Sequence, residues 1–434
     1  MIKTEIMFEI LKQKSIPIVE SLHRRIFGHE MSEEMRKFLG NLSWSFFGGI
    51  IASGVMLIVT ILAGKKLGPE GFGQYNSLLS FATAMTFLFL LGNDTGSVRY
   101  LSDREHQNKK GEILTTSLIM VLMQALIFGL LLFLFFDFIK HKFSFDDSFL
   151  FLGLVFSLLL SLKSLLDGYL RSFHLIKKQS IVRIVDSLLV IVSFLFFYYY
   201  LGRTEYYFYA VSISIGVTTF IVLGFILISN NFAKFSFAQV KFLFNYNKFL
   251  IFGSIAGFVM SLERYFIGKY IGTYELGIYS AYYVASFLII SNLGGIFMNV
   301  FWPAAIKEKN NLKVILDKLN SLFLKSFPFW ILFNSIFVFA VIFFMGKNYA
   351  FNSLYVILFP ISSFVAFSFS TFISVLNIDR IKESVVISFF CYFILLILIA
   401  TLQNIMYYLV GQIFIYLIFS WIVQKRLNIS FMKI

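Results

Sequence analysis

The chain has 434 residues, 59% of them hydrophobic and only 14% charged, with a mean hydropathy of +0.82 and a formal net charge of +14. That composition excludes a water-soluble domain, which would leave large contiguous apolar areas in water. Its apolar runs are continuous and about 20 residues long, the length that crosses a hydrocarbon core of about 30 Å, so an outer-membrane barrel with alternating ten-residue segments is a poor alternative.

Residues 1–38 mix acids with bases and hold no apolar core long enough for a cleavable signal, so they read as a cytoplasmic leader, with the first span serving as insertion signal. Spans are predicted at 41–64, 74–92, 113–136, 148–170, 184–201, 208–228, 249–270, 277–300, 322–345, 353–377, 384–401 and 405–423. The fold class is an all-α integral membrane protein of about twelve transmembrane helices. The segments between spans are too short for an extramembrane catalytic domain, which needs at least about 50 residues. The pairs Gly64-Lys65, Gly268-Lys269 and Gly346-Lys347 lack a Walker A context, so nucleotide hydrolysis is not expected. No paired acidic motif stands in a loop large enough for glycosyl transfer, and the chain is read as a non-enzyme without cofactor or metal.

Basic residues fall on alternate loops. Arg99, Arg104, Lys109 and Lys110 lie on one side with Arg171, Lys177, Lys178 and Arg183; Lys234, Lys241 and Lys248; Lys307, Lys309, Lys313 and Lys318; and Arg380 and Lys382. The positive-inside rule makes that side cytoplasmic, with both termini on it, and an even number of spans follows. A multi-pass protein of the cell's inner (cytoplasmic) membrane is expected. Anionic headgroups account for the charge, and no nucleic-acid partner is needed. The five histidines, His23, His29, His106, His141 and His174, form no metal-ligand pattern, and Cys391 stands alone in an apolar span as an inert thiol.

An internal repeat is the most informative feature. Leu67-Gly68-Pro69-Glu70-Gly71-Phe72-Gly73-Gln74-Tyr75 follows the first span, and Ile271-Gly272-Thr273-Tyr274-Glu275-Leu276-Gly277-Ile278-Tyr279 follows the seventh. Both fit apolar-Gly-x4-Gly-x-Tyr. In each, Gly permits backbone angles forbidden to larger residues, and Tyr75 and Tyr279 are expected to anchor at the membrane interface. The repeat divides the chain into two six-helix bundles, 39–230 and 231–424, followed by a cytoplasmic tail, 425–434. Because six is even, the bundles share one orientation, a parallel repeat about an axis along the membrane normal, with substrate expected between them.

The first motif, continued by Leu91-Gly92 and Val98-Arg99-Tyr100-Leu101, resembles the opening of Wzx-type polysaccharide flippases, and the second half echoes them in Ile271–Tyr279 and Val300-Phe301-Trp302-Pro303. These belong to the multidrug/oligosaccharidyl-lipid/polysaccharide superfamily, and the resemblance runs from residue 40 to about 425. It implies a V-shaped pair of bundles that moves a polyprenyl-pyrophosphate-linked oligosaccharide, such as an O-antigen repeat unit, from the cytoplasmic to the outer leaflet. Other membrane proteins of polysaccharide assembly are implied as partners.

Ionisable residues inside spans are costly and default to functional roles. Arg264, mid-span in the seventh helix, suits pyrophosphate through its planar donor fork, and its neighbour Glu263 suits holding Arg264 or taking up a coupling proton. Lys163 and Asp167 stand one helical turn apart and are expected to neutralise each other, with Lys163 a further substrate contact and Asp167 a further coupling group. Asp94 and Arg99 are placed at the cytoplasmic mouth, Arg99 to meet the arriving pyrophosphate. Asp186 is expected near the interface, and Lys325 to snorkel to the cytoplasmic surface. The cationic bias favours an anionic cargo over the rival reading, a multidrug or cation antiporter of the same fold.

Overall fold

The computed structural model describes residues 33–102, 109–143, 147–173, 175–200, 205–229, 232–307 and 312–427. In chain order the described helices are α1 (Glu33–Leu90), α2 (Asn93–Ser102), α3 (Lys110–Leu134), α4 (Phe136–Phe143), α5 (Asp147–Ser172), α6 (Ile176–Tyr200) and α7 (Glu205–Ser229). The second half continues with α8 (Phe237–Ser261), α9 (Glu263–Tyr270), α10 (Thr273–Lys307), α11 (Leu312–Met345), α12 (Ser353–Asp379), α13 (Ile381–Leu402) and α14 (Ile405–Arg426). Each of the twelve expected spans falls on helix. Among the described residues, ten helices are long and apolar enough to cross a membrane. The first of these, Phe46–Leu90, holds two spans, and the 35-residue α10 carries the expected eighth. Of the leader, residues 1–32 lie outside the described residues, as does the tail beyond Leu427.

Two spans share α1 because Gly68 takes φ 66°, ψ 176°, which breaks the helix, and Pro69 restarts it. Proline suits a first helical turn, where its missing N–H has no partner to lose. Gly272 repeats the device with φ 139° before α10 begins at Thr273. At both repeats the first glycine is therefore used as the sequence implies.

The second glycine of each motif does something the sequence did not disclose. A Cβ built on Gly73 would lie 1.9 Å from the carbonyl oxygen of Thr273, and one built on Gly277 would lie 1.7 Å from the carbonyl oxygen of Pro69. Gly73 and Gly277 are equivalent positions in the repeat, as are Pro69 and Thr273. The two turns thus clasp each other reciprocally, each glycine against the other half's backbone. Beside this seam Tyr349, in the turn between α11 and α12, donates from its hydroxyl to the Gly64 carbonyl at 2.9 Å. Burial raises the phenol's pKa further, so it stays a donor.

The motif tyrosines are not interfacial anchors. Tyr75 is buried against Tyr207, ring centroids 4.5 Å apart, and Tyr279 is fully buried against Phe359 and Tyr408. Their position one turn inside each motif helix turns the rings into their own bundle.

Within each half, polar side chains tie helices together where lipid offers no competing partner. Ser117 and Tyr169 share a hydrogen bond of 2.6 Å between α3 and α5, and in the second half Ser286 donates to Ser363 at 2.8 Å while Asn334 donates to Ser286 at 3.1 Å. At the end away from the glycine seam, Asn247 of α8 donates to Asn93 of α2 at 2.6 Å, and Asn93 donates to Gln124 of α3 at 2.8 Å. The outward faces carry exposed aromatics such as Phe133, Phe220, Phe329 and Phe343.

Gly73→Ala and Gly277→Ala are each expected to push the seam apart, because an added methyl meets backbone that cannot swing aside. With Cys391 replaced by Ser and spin labels at Glu70→Cys and Tyr274→Cys, the short-distance population should shrink in either variant. An unchanged distance distribution would show that the seam tolerates a Cβ.

Candidate functional site

The seventh span is discontinuous. Helix α8 ends at Ser261 and α9 begins at Glu263, with the Leu262 N–H turned back to the Val259 carbonyl at 3.2 Å. Such a break strands backbone groups inside the membrane unless something else satisfies them. Ser80 supplies that: its hydroxyl donates to the Ser261 carbonyl and accepts the Tyr265 N–H at 3.1 Å. Ser80 belongs to α1, so the break is stitched from the opposite half. One turn earlier, Gly257 lets the Phe87 ring lie against the α8 backbone.

Glu263 and Arg264 occupy the first residues after the break, and their side chains diverge. Glu263 turns into its own bundle, where Oε1 accepts from the Tyr279 hydroxyl and from Gln412 Nε2 at 3.3 Å. Gln412 Oε1 in turn accepts from Ser362 at 2.7 Å, which makes a chain of polar groups through α12 and α14. Arg264 turns the other way. Its Nη1 donates to Asn76 Oδ1 of the first half at 3.2 Å, and its guanidinium lies 4.7 Å from the centre of the Tyr283 ring. The expectation that Glu263 holds Arg264 is therefore corrected: no ion pair joins them among the described residues, because consecutive residues of one helix point about 100° apart and meet different neighbours.

Both residues line a cavity of about 270 Å³ between the halves. Leu79, Ser80, Thr83 and Phe87 come from α1, Met260 and Ser261 from α8, and Tyr283 from α10. One wall therefore offers hydroxyls and the other an arginine, with aromatic rings beside them. Arg264 has a planar fork of five N–H donors, so a single bond to Asn76 leaves capacity for an anion.

Lys163 and Asp167 lie elsewhere, in α5 inside the first bundle. Lys163 forms its ion pair with Asp186 of α6, not with Asp167. Asp186 Oδ1 also accepts from Ser214 at 2.7 Å and Thr218 at 3.3 Å, so its carboxylate is satisfied from two neighbouring helices, α5 and α7. Asp186 is thus a mid-helix group, with its side chain 21% exposed, and the expected interfacial placement is corrected. The sequence placed it near a span end because α6 starts at Ile176, earlier than its apolar run. Asp167 Oδ1 is buried with no hydrogen-bond partner. Asp94 sits in the first turn of α2, where the helix dipole favours a carboxylate, within the field of Arg171. Arg99 is on α2, but its side chain lies outside the described residues. Lys325 is exposed midway along α11, whose helix begins well before the expected span.

Of the eight charged residues singled out from sequence, Glu263 and Arg264 are the ones that, among the described residues, line the cavity between halves. Sequence reasoning missed Asn76, Gln412 and Asp186 as partners. Gln412 was the most legible, an amide in the middle of an apolar run.

A family model described as "Polysaccharide biosynthesis protein" matches residues 38–309, from the first span to the end of the eighth. The chain belongs to that family. Among solved structures, the chain is similar to an inward-facing multidrug resistance MATE family transporter of the MOP superfamily, at 13% identity and a TM-score of 0.65 over 88% of this chain and 94% of that one. A MOP superfamily transporter from Pyrococcus furiosus Vc1 (DSM3638) is similar at 12% identity and a TM-score of 0.63, over 89% and 95% of the two chains. An outward-facing MATE family transporter gives 12% identity and 0.61 over 89% and 95%. At such identities the likeness shows the fold alone, two bundles in the V-shaped transporter arrangement. No curated protein matches in sequence. Family match and apolar helices together describe a multi-pass membrane protein, and its fold is that of MATE-type transporters.

Lys163→Met should leave Asp186 mostly buried without its counter-charge, lowering stability by on the order of 3 kcal/mol, and adding Asp186→Asn should recover most of the loss. Thermal unfolding of the three variants in detergent measures both. Equal stability of Lys163→Met and wild type would mean that the pair contributes nothing.

Proposed function

We propose that this protein flips a polyprenyl-pyrophosphate-linked oligosaccharide from the cytoplasmic to the outer leaflet by alternating access between its two halves. The observation that carries the reading is Arg264, set at a helix break in the cavity between halves, bonded to Asn76 and stacked on Tyr283. The sugar needs a polar path, and Ser80 and Thr83 line it; the pyrophosphate needs a forked cation; the isoprenoid tail can stay in lipid beside the protein. The family match supports a cargo on the route to polysaccharide. With the basic loops cytoplasmic, the glycine seam lies at the outer end, and its clasp corresponds to a state closed outward.

Glu263 carries the coupling part of the proposal. Its carboxylate borders the cavity yet is held by Tyr279 and Gln412, so a proton or cation arriving there would loosen the hydrogen-bond chain that spans the second bundle. The same carboxylate favours the second reading, drug or cation antiport, in which Arg264 would be dispensable.

Arg264→Ala should abolish surface polysaccharide in a host dependent on this gene while the protein still inserts. Arg264→Lys should restore part of it, because a lysine keeps the charge without the fork. In vitro, flipping should fall by about tenfold or more, the scale of one charge-assisted hydrogen bond lost. Normal polysaccharide in the Ala variant removes Arg264 from the mechanism. Transport by Glu263→Gln that keeps the wild-type pH profile removes Glu263 from coupling.

A further inference from the structure

A second concave feature lies outside the cavity between halves. Phe252 and Ile255 of α8 form one wall of a groove of about 510 Å³, and Val385, Val386, Phe389 and Phe390 of α13 form the other, with Lys382 at one end. The walls meet where Gly253 packs on Val385, an added Cβ lying 3.8 Å from Val385 Cγ2. Phe252, Val386 and Phe390 are more than half exposed, so the groove opens laterally toward lipid.

Its charge is placed asymmetrically. Lys382 precedes Val385 and Val386 by one helical turn, and on the opposite wall Lys248 precedes Phe252 by one turn on the same helix face. Each wall thus ends in a lysine at the basic end of the bundle and is purely apolar beyond it. A surface with two cations at the headgroup level and an aromatic, branched-aliphatic trough below them complements a lipid with an anionic head and a hydrocarbon chain.

We infer that this groove is the docking site for the polyprenyl-pyrophosphate carrier in the inner leaflet: pyrophosphate between Lys248 and Lys382, and the first isoprene units along Phe252, Val386 and Phe390. The inference rests on the flippase reading and specifies where its substrate first binds. Span seven then carries two anion sites. Lys248 and Arg264 are separated along the span by about 24 Å at 1.5 Å per residue, and Met260 of the central cavity lies two turns beyond Phe252. The head can pass from the lysines toward Arg264 while the chain stays in the trough.

The test is binding of sugar-free polyprenyl pyrophosphate to the purified protein by native mass spectrometry, with phosphatidylglycerol as competitor, beside flipping of a tagged lipid-linked saccharide in proteoliposomes. Polyprenyl pyrophosphate should displace phosphatidylglycerol. Its affinity should fall about tenfold or more in Val386→Trp, which fills the trough, and in Lys248→Gln/Lys382→Gln, which removes the head contacts, and Lys248→Arg/Lys382→Arg should retain it. Equal binding of phosphatidylglycerol makes the groove an ordinary lipid-facing surface and overturns the inference, as does unchanged affinity in Val386→Trp. Should the wild type flip while the groove variants bind normally, the docking site fails and the transport reading stands. Groove-dependent binding without any flipping by the wild type has the opposite meaning.

Discussion

Two glycines let the backbones of the halves meet at one end of the molecule. Gly73 lies on the Thr273 carbonyl and Gly277 on the Pro69 carbonyl, at distances no side chain could share. Because the partners are equivalent positions of one repeat, the contact is symmetric, and loosening it at one turn loosens it at the other. The consequences extend inward from there. The helix that follows Gly73 carries Asn76, Ser80 and Thr83 to the cavity, and the helix that follows Gly277 carries Tyr279 and Tyr283. The seam that closes one end also positions both walls of the site.

The broken seventh span is the second element of the design. Glu263 and Arg264 open the helix that follows the break, where consecutive side chains point about 100° apart. Because α9 lies between the halves, that divergence gives the carboxylate to the second bundle and the guanidinium to the first, so one dipeptide addresses both halves. Transporters commonly place binding at such interrupted helices, where irregular backbone lines a cavity. Here the break depends on Ser80 of the opposite half, which links its geometry to the relative position of the bundles. Separation of the halves would remove both Ser80 and Asn76 from the seventh span together.

Much of this was legible in the chain, and for identifiable reasons. Apolar run length put each expected span on helix, with ten of the described helices long and apolar enough to cross a membrane, and the paired motif located the turns, since glycine spacing survives where little else does. The mid-span dipeptide Glu263-Arg264 was legible because intramembrane charge is rare. Partners across helices were not. Lys163 was matched to Asp167 by sequence proximity, whereas packing gave it Asp186 on the next helix. Helical periodicity reports which residues share a face but not which helix that face meets. For the same reason the tyrosines of the motif looked interfacial, although one turn of helix carries them inside.

The central claim is that a lipid-linked glycan crosses the membrane between these halves. Its most direct measurement uses proteoliposomes holding a fluorescent polyprenyl-pyrophosphate oligosaccharide and a membrane-impermeant quencher outside. The account expects the inner-leaflet fluorescence, protected in protein-free vesicles, to be lost once the protein is present. Persistent protection, combined with gradient-driven uptake of an organic cation by the same vesicles, would contradict it.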